Sequence, residues 1–250
     1  MDDRTASAAA TSERLDPLAI GDAASRYDRD TLALHLQRYE LAARYVANRD
    51  AVDCACGTGY GSEMLAKAGA RSVQAVDLDA GAIAFAQEHH AHAAVRYITA
   101  DALAWRAAPA PAVWVSLETI EHLPDPARFV RAVAEQIAPD GVFIASVPVT
   151  VSTDGNPHHL HDFTKRSFLR LLQRNGFSVE LELPQEHRFT TADILGGKRS
   201  GRQRDRRRGL VSWYMRRPNV LARRAWLTLT RGLVHEYLTV VARRESLTAQ

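Results

Sequence analysis

From residue 50 onward, short apolar runs rich in β-branched and aromatic residues alternate with segments of helical periodicity. This is the pattern of parallel strands joined by crossover helices. Strands are expected near 50–54, 72–77, 95–99, 112–117, 142–147, 177–183 and 236–242. Helices are expected over 61–69, 80–90, 126–138 and 165–175, the last stopped by Asn175-Gly176. Upstream, Leu32, Leu36, Tyr39, Leu41, Ala42 and Tyr45 recur at helical spacing, which predicts a helix over 31–46 packed beside the first strand. The fold class is therefore α/β, a doubly wound, mostly parallel sheet of seven strands. Residues 1–30 read as a flexible N-terminal segment and 31–250 as one domain. An insertion over about 185–233, expected to be helical, interrupts that domain before the last strand; it carries Gly196-Gly197, the run KRSGRQRDRRR and an Arg/Trp/Leu-rich stretch.

The first strand runs into Val52-Asp53-Cys54-Ala55-Cys56-Gly57-Thr58-Gly59-Tyr60-Gly61, which opens a helix. Glycines at such a turn let a ligand approach the backbone and leave helix N-terminal N–H groups exposed to it. Asp77, twenty residues after Gly57, closes the second strand, where a carboxylate is placed to accept both hydroxyls of a ribose. The pair points to a nucleoside-bearing ligand. A dinucleotide fingerprint of the form G-x-G-x-x-G would need a glycine at position 62, which is Ser62.

The glycine turn and the acid that follows it resemble the first two motifs of the class I S-adenosylmethionine-dependent methyltransferases, which are Rossmann-like; Ala55 stands where the family has a glycine. The resemblance continues in Thr99-Ala100-Asp101-Ala102, in Ser116-Leu117-Glu118-Thr119-Ile120-Glu121-His122-Leu123-Pro124-Asp125-Pro126, which is similar to the segment after strand four of the ubiquinone-biosynthesis type, and in His35-Leu36-Gln37-Arg38-Tyr39. It implies an S-adenosylmethionine site formed by Arg38 (facing the methionine carboxylate), Asp53, Gly57, Gly59, Asp77, Leu78, Asp101 (at the adenine amino group), Ala102 and Leu117. Asp53 keeps two readings, a prop for the turn and a contact for the ligand's ammonium group.

Methyl transfer to a hydroxyl needs the acceptor lone pair aligned with the methyl group and its proton removed. Two histidine-bearing segments sit at the C-terminal ends of expected strands four and five, where open α/β sheets place their sites: Glu118-x-x-Glu121-His122 and Asn156-Pro157-His158-His159-Leu160-His161-Asp162-Phe163. Histidine titrates near neutrality, so His159, then His161 and His122, are the candidate proton acceptors. The second segment also resembles a stretch of polysaccharide-associated methyltransferases in which His159 aligns with the recurring histidine. Glu118, Glu121, His122 and His159 also resemble the divalent-metal set of small-RNA 2′-O-methyltransferases and of some ubiquinone-pathway enzymes, which implies a bound ion; oxygen and imidazole ligands suit Mg²⁺, Mn²⁺ or Zn²⁺.

Residues 198–231 hold twelve Lys/Arg against Asp205, a local charge of +11 in a chain of net +3, so the remainder carries −8. With Trp213, Tyr214 and Trp226 interleaved, the segment is a lid over the acceptor, a surface for lipid headgroups or a lipid-linked substrate, or, less favoured, a nucleic-acid contact. No stretch reaches the roughly 18 apolar residues of a membrane span, and the N-terminus lacks a secretory apolar core. The expectation is a cytoplasmic protein, with peripheral membrane contact through the basic segment. Cys54 and Cys56 are too close for an ordinary disulfide and read as packing residues. The function expected is O-methylation of a sugar, glycan or related small metabolite. The alternatives are metal-dependent RNA 2′-O-methylation, small-molecule N-methylation, and S-adenosylmethionine binding without turnover.

Overall fold

The computed structural model describes residues 16–18, 20, 26–149, 158–189, 210–232 and 234–245. The chain runs α1 (Arg26–Ala43), β1 (Asp50–Cys54), α2 (Tyr60–Lys67), β2 (Ser72–Asp77), α3 (Ala80–His89), β3 (Val95–Thr99), β4 (Val113–Leu117), a 3₁₀ turn (Ile120–His122) and α4 (Pro126–Gln136). It continues with β5 (Val142–Pro148), α5 (Lys165–Arg174), β6 (Phe177–Arg188), α6 (Leu210–Met215), α7 (Pro218–Arg231) and β7 (Val234–Arg244). Most of residues 1–30 and the whole run KRSGRQRDRRR lie outside the described residues, as do Asn156, Pro157 and Gly196-Gly197.

The seven strands form one sheet in the order β3-β2-β1-β4-β5-β7-β6, in which only β7 is antiparallel to both neighbours. Strands β1, β4 and β5 are buried at every residue, as a parallel strand covered on both faces must be. Alternate side chains serve the two faces: Val113, Val115, Leu117, Val142 and Ile144 meet α1 and α2, while Trp114, Phe143, Ala145 and Val147 meet α4 and α5. The helices begin where local chemistry starts them. Asp79 accepts the Gly81 and Ala82 N–H groups, Asp125 accepts that of Arg128, and Thr164 and Ser167 form a capping box. Both cysteines are buried, in keeping with a packing role.

Two boundaries differ most from the sequence reading, the others by three residues or fewer. Helix α1 starts at Arg26 rather than 31, and β6 continues to Arg188 rather than stopping at 183, so residues 185–188 belong to the sheet and not to the insertion. The tail of β6 does alternate, but with polar residues inward. Gln185 and His187 are buried while Glu186 and Arg188 are exposed, because the inward residues face α1: Gln185 Nε2 donates to the Leu34 carbonyl at 3.1 Å, and His187 Nδ1 lies 3.4 Å from Thr31 Oγ1. Helices α6 and α7 fill the expected place before the last strand.

A buried charge cluster ties the N-terminal segment to this frame. His90, 5% exposed, lies 3.0 Å from Asp16 and 2.9 Å from Glu63. Burial raises the Asp16 carboxyl, but its hydrogen bonds with His90, Thr58 and the Leu18 N–H and the charge of His90 together outweigh this and leave it below its ordinary value. His90, against its own burial, is raised by the two carboxylates. The cluster therefore stabilises the fold fully below the ordinary histidine range, near pH 6.5, loses that contribution as pH rises through the raised value, and also loses it in acid as the carboxylates protonate. A His90→Ala variant is expected to lose about 1–2 kcal/mol at pH 6 and to lack the wild type's decline above pH 6.5 in thermal melts. A wild-type decline retained in the variant would exclude His90 as its source.

Candidate active site

Because β1, β2, β3 and β4 are parallel, the loops at their C-terminal ends gather along one edge of the sheet. They enclose a cleft of about 300 Å³, at the lower end of the range for small-molecule sites. One side is the turn after β1. Ala55, Gly57 and Gly59 there have φ values of 62°, 56° and 90°, the left-handed region that favours glycine. Gly59 is the N-cap of α2 and offers no side-chain cap, so the first N–H groups of that helix are left for other partners. A Cβ at Gly61 would fall 1.9 Å from the Tyr39 ring, so α2 meets α1 too closely for any side chain at this position.

Asp77, from the end of β2, reaches back to this turn. Its Oδ2 accepts the Gly57 N–H at 2.9 Å and its Oδ1 that of Asp79 at 2.9 Å. Each carboxylate oxygen has a second lone pair for a ligand hydroxyl. Leu78, 73% exposed, extends the wall, and Asp101, Ala102 and Leu117 continue it from the loops after β3 and β4. The glycine turn, the uncapped helix start, the carboxylate and the cleft size fit an adenosine-bearing sulfonium such as S-adenosylmethionine.

Two expected ligand contacts stand behind the wall. Asp53, 1% exposed, accepts from Ser62 Oγ at 2.7 Å and Tyr39 Oη at 3.3 Å, tying β1 to α1 and α2 through side chains. Burial pushes its carboxyl up to about 7, against the lowering by those hydrogen bonds. This geometry favours the prop over the ammonium contact, through side-chain donors rather than backbone N–H groups. Arg38 is likewise enclosed, with Nε donating to Gln185 Oε1 at 2.7 Å, Nη1 at 3.1 Å from Glu118 Oε1 and its guanidinium 4.7 Å from the Tyr237 ring centroid. The residues of that helix on the cleft are His35 and Tyr39, which sequence reasoning left out although their i, i+4 spacing puts them on one face. Burial, then the charge of Arg38, lowers His35 to about 3, so it presents a neutral imidazole. Thr58, Tyr60, Thr119 and Leu123 also line the cleft without having been anticipated.

The far end of the cleft carries the first of the two segments expected on the acceptor side. Glu118 has φ 49° and is held by its ion pair with Arg38 and by Ser146, whose Oγ donates to its carboxylate at 2.7 Å. His122 lines the cleft, and its ring lies 4.6 Å from that of His159, edge to face. Ligand atoms of Glu121, His122 and His159 all lie within 4.8 Å of one another, with Glu121 buried. Glu118 is not among them, which corrects the four-residue metal set: its carboxylate is turned to Arg38 and Ser146. His161 is not among the cleft-lining residues. Its backbone N–H donates to the Glu121 carbonyl at 3.2 Å, and its Nε2 is buried without a hydrogen-bond partner among the described residues. Of the three histidines, His122 lines the cleft and His159 packs against it, while His161 bonds through its backbone to the 3₁₀ turn.

Residues 51–141 match a family described as a methyltransferase domain. A probable S-adenosylmethionine-dependent methyltransferase of Mycolicibacterium smegmatis is 32% identical over 162 residues, covering 62% of each chain. The ubiquinone biosynthesis O-methyltransferase of Ralstonia nicotianae is 41% identical over 107 residues, 41% of this chain and 44% of that protein. The matched segments thus span about two-fifths to three-fifths of these relatives. Among solved structures, an N-methyltransferase from Bradyrhizobium japonicum in complex with S-adenosyl-L-homocysteine superposes with a TM-score of 0.62 at 14% identity, covering 98% of this chain and all of that one. At that identity the likeness is one of fold. Among the described residues, no helix is long and apolar enough to cross a membrane.

Proposed function

Because the chain carries the class I S-adenosylmethionine-dependent methyltransferase domain, we propose that it O-methylates a hydroxyl of a sugar, glycan or related metabolite in the cytoplasm. The observation that carries this reading is the continuity of one cleft from Asp77 and Asp101 at one end to His122, with His159 against it, at the other. When bound, S-adenosylmethionine supplies an electrophilic methyl group on a sulfonium. Asp77, Asp101 and the glycine turn hold the nucleoside, and the lowered, neutral His35 adds a hydrogen-bonding wall without a competing charge. His159 takes the acceptor proton as the new C–O bond forms and the sulfonium C–S bond breaks, leaving a neutral thioether.

A His159→Ala variant is expected to keep S-adenosylmethionine affinity and lose roughly 10²-fold or more in kcat. An unchanged rate would remove the base role. Transfer of labelled methyl into extract separated into small polar, lipid-plus-polysaccharide and RNA pools tests the acceptor class. Label in either of the first two pools supports the reading, whereas label confined to RNA overturns it. Labelled amines instead of ethers would mean N-methylation, and binding without transfer to any pool would mean a protein that only holds the nucleoside.

A second reading is favoured by the proximity of Glu121, His122 and His159. One carboxylate and two imidazoles suit Mg²⁺, Mn²⁺ or Zn²⁺, and a divalent ion held there would lower the pKa of an acceptor hydroxyl. Loss of transfer on chelation, restored by one of these ions, would favour it over proton removal by His159 alone.

A further inference from the structure

We propose that α6 and α7 form an interfacial element that docks the protein on an anionic lipid bilayer. From 210 to 232 the sequence carries Arg216, Arg217, Arg223, Arg224 and Arg231 and no acidic residue. Helix α7 packs mainly on α6 rather than on the sheet. Ala222, Ala225, Trp226 and Leu229, at i, i+3, i+4 and i+7, are all exposed, Trp226 at 61% and Leu229 at 86%, and Leu221 lies beside them at 44%. At about 100° per residue, Arg223 lies beside the Trp226 edge of this stripe, and Arg224, half-buried, lies beyond Leu221 toward the opposite face. Met215, 73% exposed, adds to the apolar surface from α6.

A cationic helix with an outward apolar stripe and a tryptophan is built to lie in the headgroup region, with arginines on phosphates and the stripe in the acyl boundary. Nucleic acid would use the arginines and the indole but has no use for the aliphatic surface of Leu221 and Leu229. A second copy laid on the same stripe would set arginine against arginine.

The location gives the surface its meaning. Helix α7 feeds directly into β7, whose first half pairs with Pro148 at the C-terminal end of β5, and the Val149 N–H bonds the Glu236 carbonyl at 2.8 Å. This is the end of the sheet that carries the cleft. The docking surface stands independently of the chemistry; its consequence, that the acceptor is met at the bilayer, rests on the function proposed above.

Sedimentation of the full chain with vesicles tests it. Partition is expected into equimolar phosphatidylglycerol and phosphatidylcholine vesicles, at least ~10-fold stronger than into phosphatidylcholine alone and weakened by added salt. A Trp226→Glu/Leu229→Glu variant should lose binding to both, and Arg223→Gln/Arg224→Gln should lose on the order of tenfold on anionic vesicles alone. Unchanged S-adenosylmethionine affinity, measured by calorimetry, shows that either variant is folded and keeps this outcome separate from failure of the methyl-transfer reading. No vesicle binding by the wild type, equal binding to neutral vesicles, or a change of mass in lipid-free solution on mutating the stripe would each overturn the proposal.

Discussion

Replacing Asp77 by Ala is expected to weaken S-adenosylmethionine binding by a factor on the order of 100 to 1000. The carboxylate accepts the Gly57 and Asp79 N–H groups at 2.9 Å and also lines the cleft, where a ribose hydroxyl would meet it. Hydrogen bonds to a charged group are worth about 1.5–3 kcal/mol each, and every 1.4 kcal/mol is tenfold in affinity. Two such bonds to the ribose hydroxyls at the lower end of that range, about 3–4 kcal/mol together, account for the estimate. Asp77→Asn separates the parts, because an amide still presents one acceptor oxygen to the turn but has lost the charge. Calorimetry should show Asn between wild type and Ala, with melting temperatures of the ligand-free proteins close together. Undiminished affinity in Asp77→Ala would move the nucleoside away from the end of β2. A large loss of ligand-free stability would instead make the residue a brace for the turn.

The parallel core was legible because its strands are buried on both faces and so appear as unbroken apolar runs, and the cofactor end because glycine and acid are dictated by backbone geometry. What escaped was polar burial. Gln185 and His187 point inward, yet their types suggest a solvated loop, so the end of β6 was assigned to the insertion. Arg38 was assigned to a ligand because an arginine at that place in the motif matches family members, whereas its contacts with Gln185, Glu118 and Tyr237 come from segments distant in sequence. Glu118 was grouped with Glu121 and His122 by proximity along the chain, but its left-handed backbone turns it away from them. No local pattern reports a pairing over such separations. Conversely, the meeting of His122 and His159 is legible, since each follows a strand end that the sheet brings to the same edge.

The buried arginine leads to the second large effect. Arg38→Met is expected to cost about 3 kcal/mol, and Glu118→Gln a comparable amount, because removing one member of a buried pair leaves the other charge uncompensated. In a protein of this size that lowers the melting temperature by on the order of 10 °C. The two losses have different origins. Arg38 is 1% exposed, so in Glu118→Gln its charge keeps, among the described residues, the Gln185 side-chain carbonyl and the Tyr237 ring, whereas the 16% exposure of Glu118 lets water reach the carboxylate when the arginine is gone. Arg38→Met therefore loses more through packing, releasing the β6–β7 ribbon from α1, and Glu118→Gln loses more through electrostatics. The double variant decides between pairing and independent roles. If the pair is coupled, Arg38→Met/Glu118→Gln should recover at least about 1 kcal/mol relative to the sum of the singles, since no buried charge is then left. Strict additivity would mean that each residue acts through other neighbours, and that Glu118 faces the cleft for the acceptor rather than for Arg38.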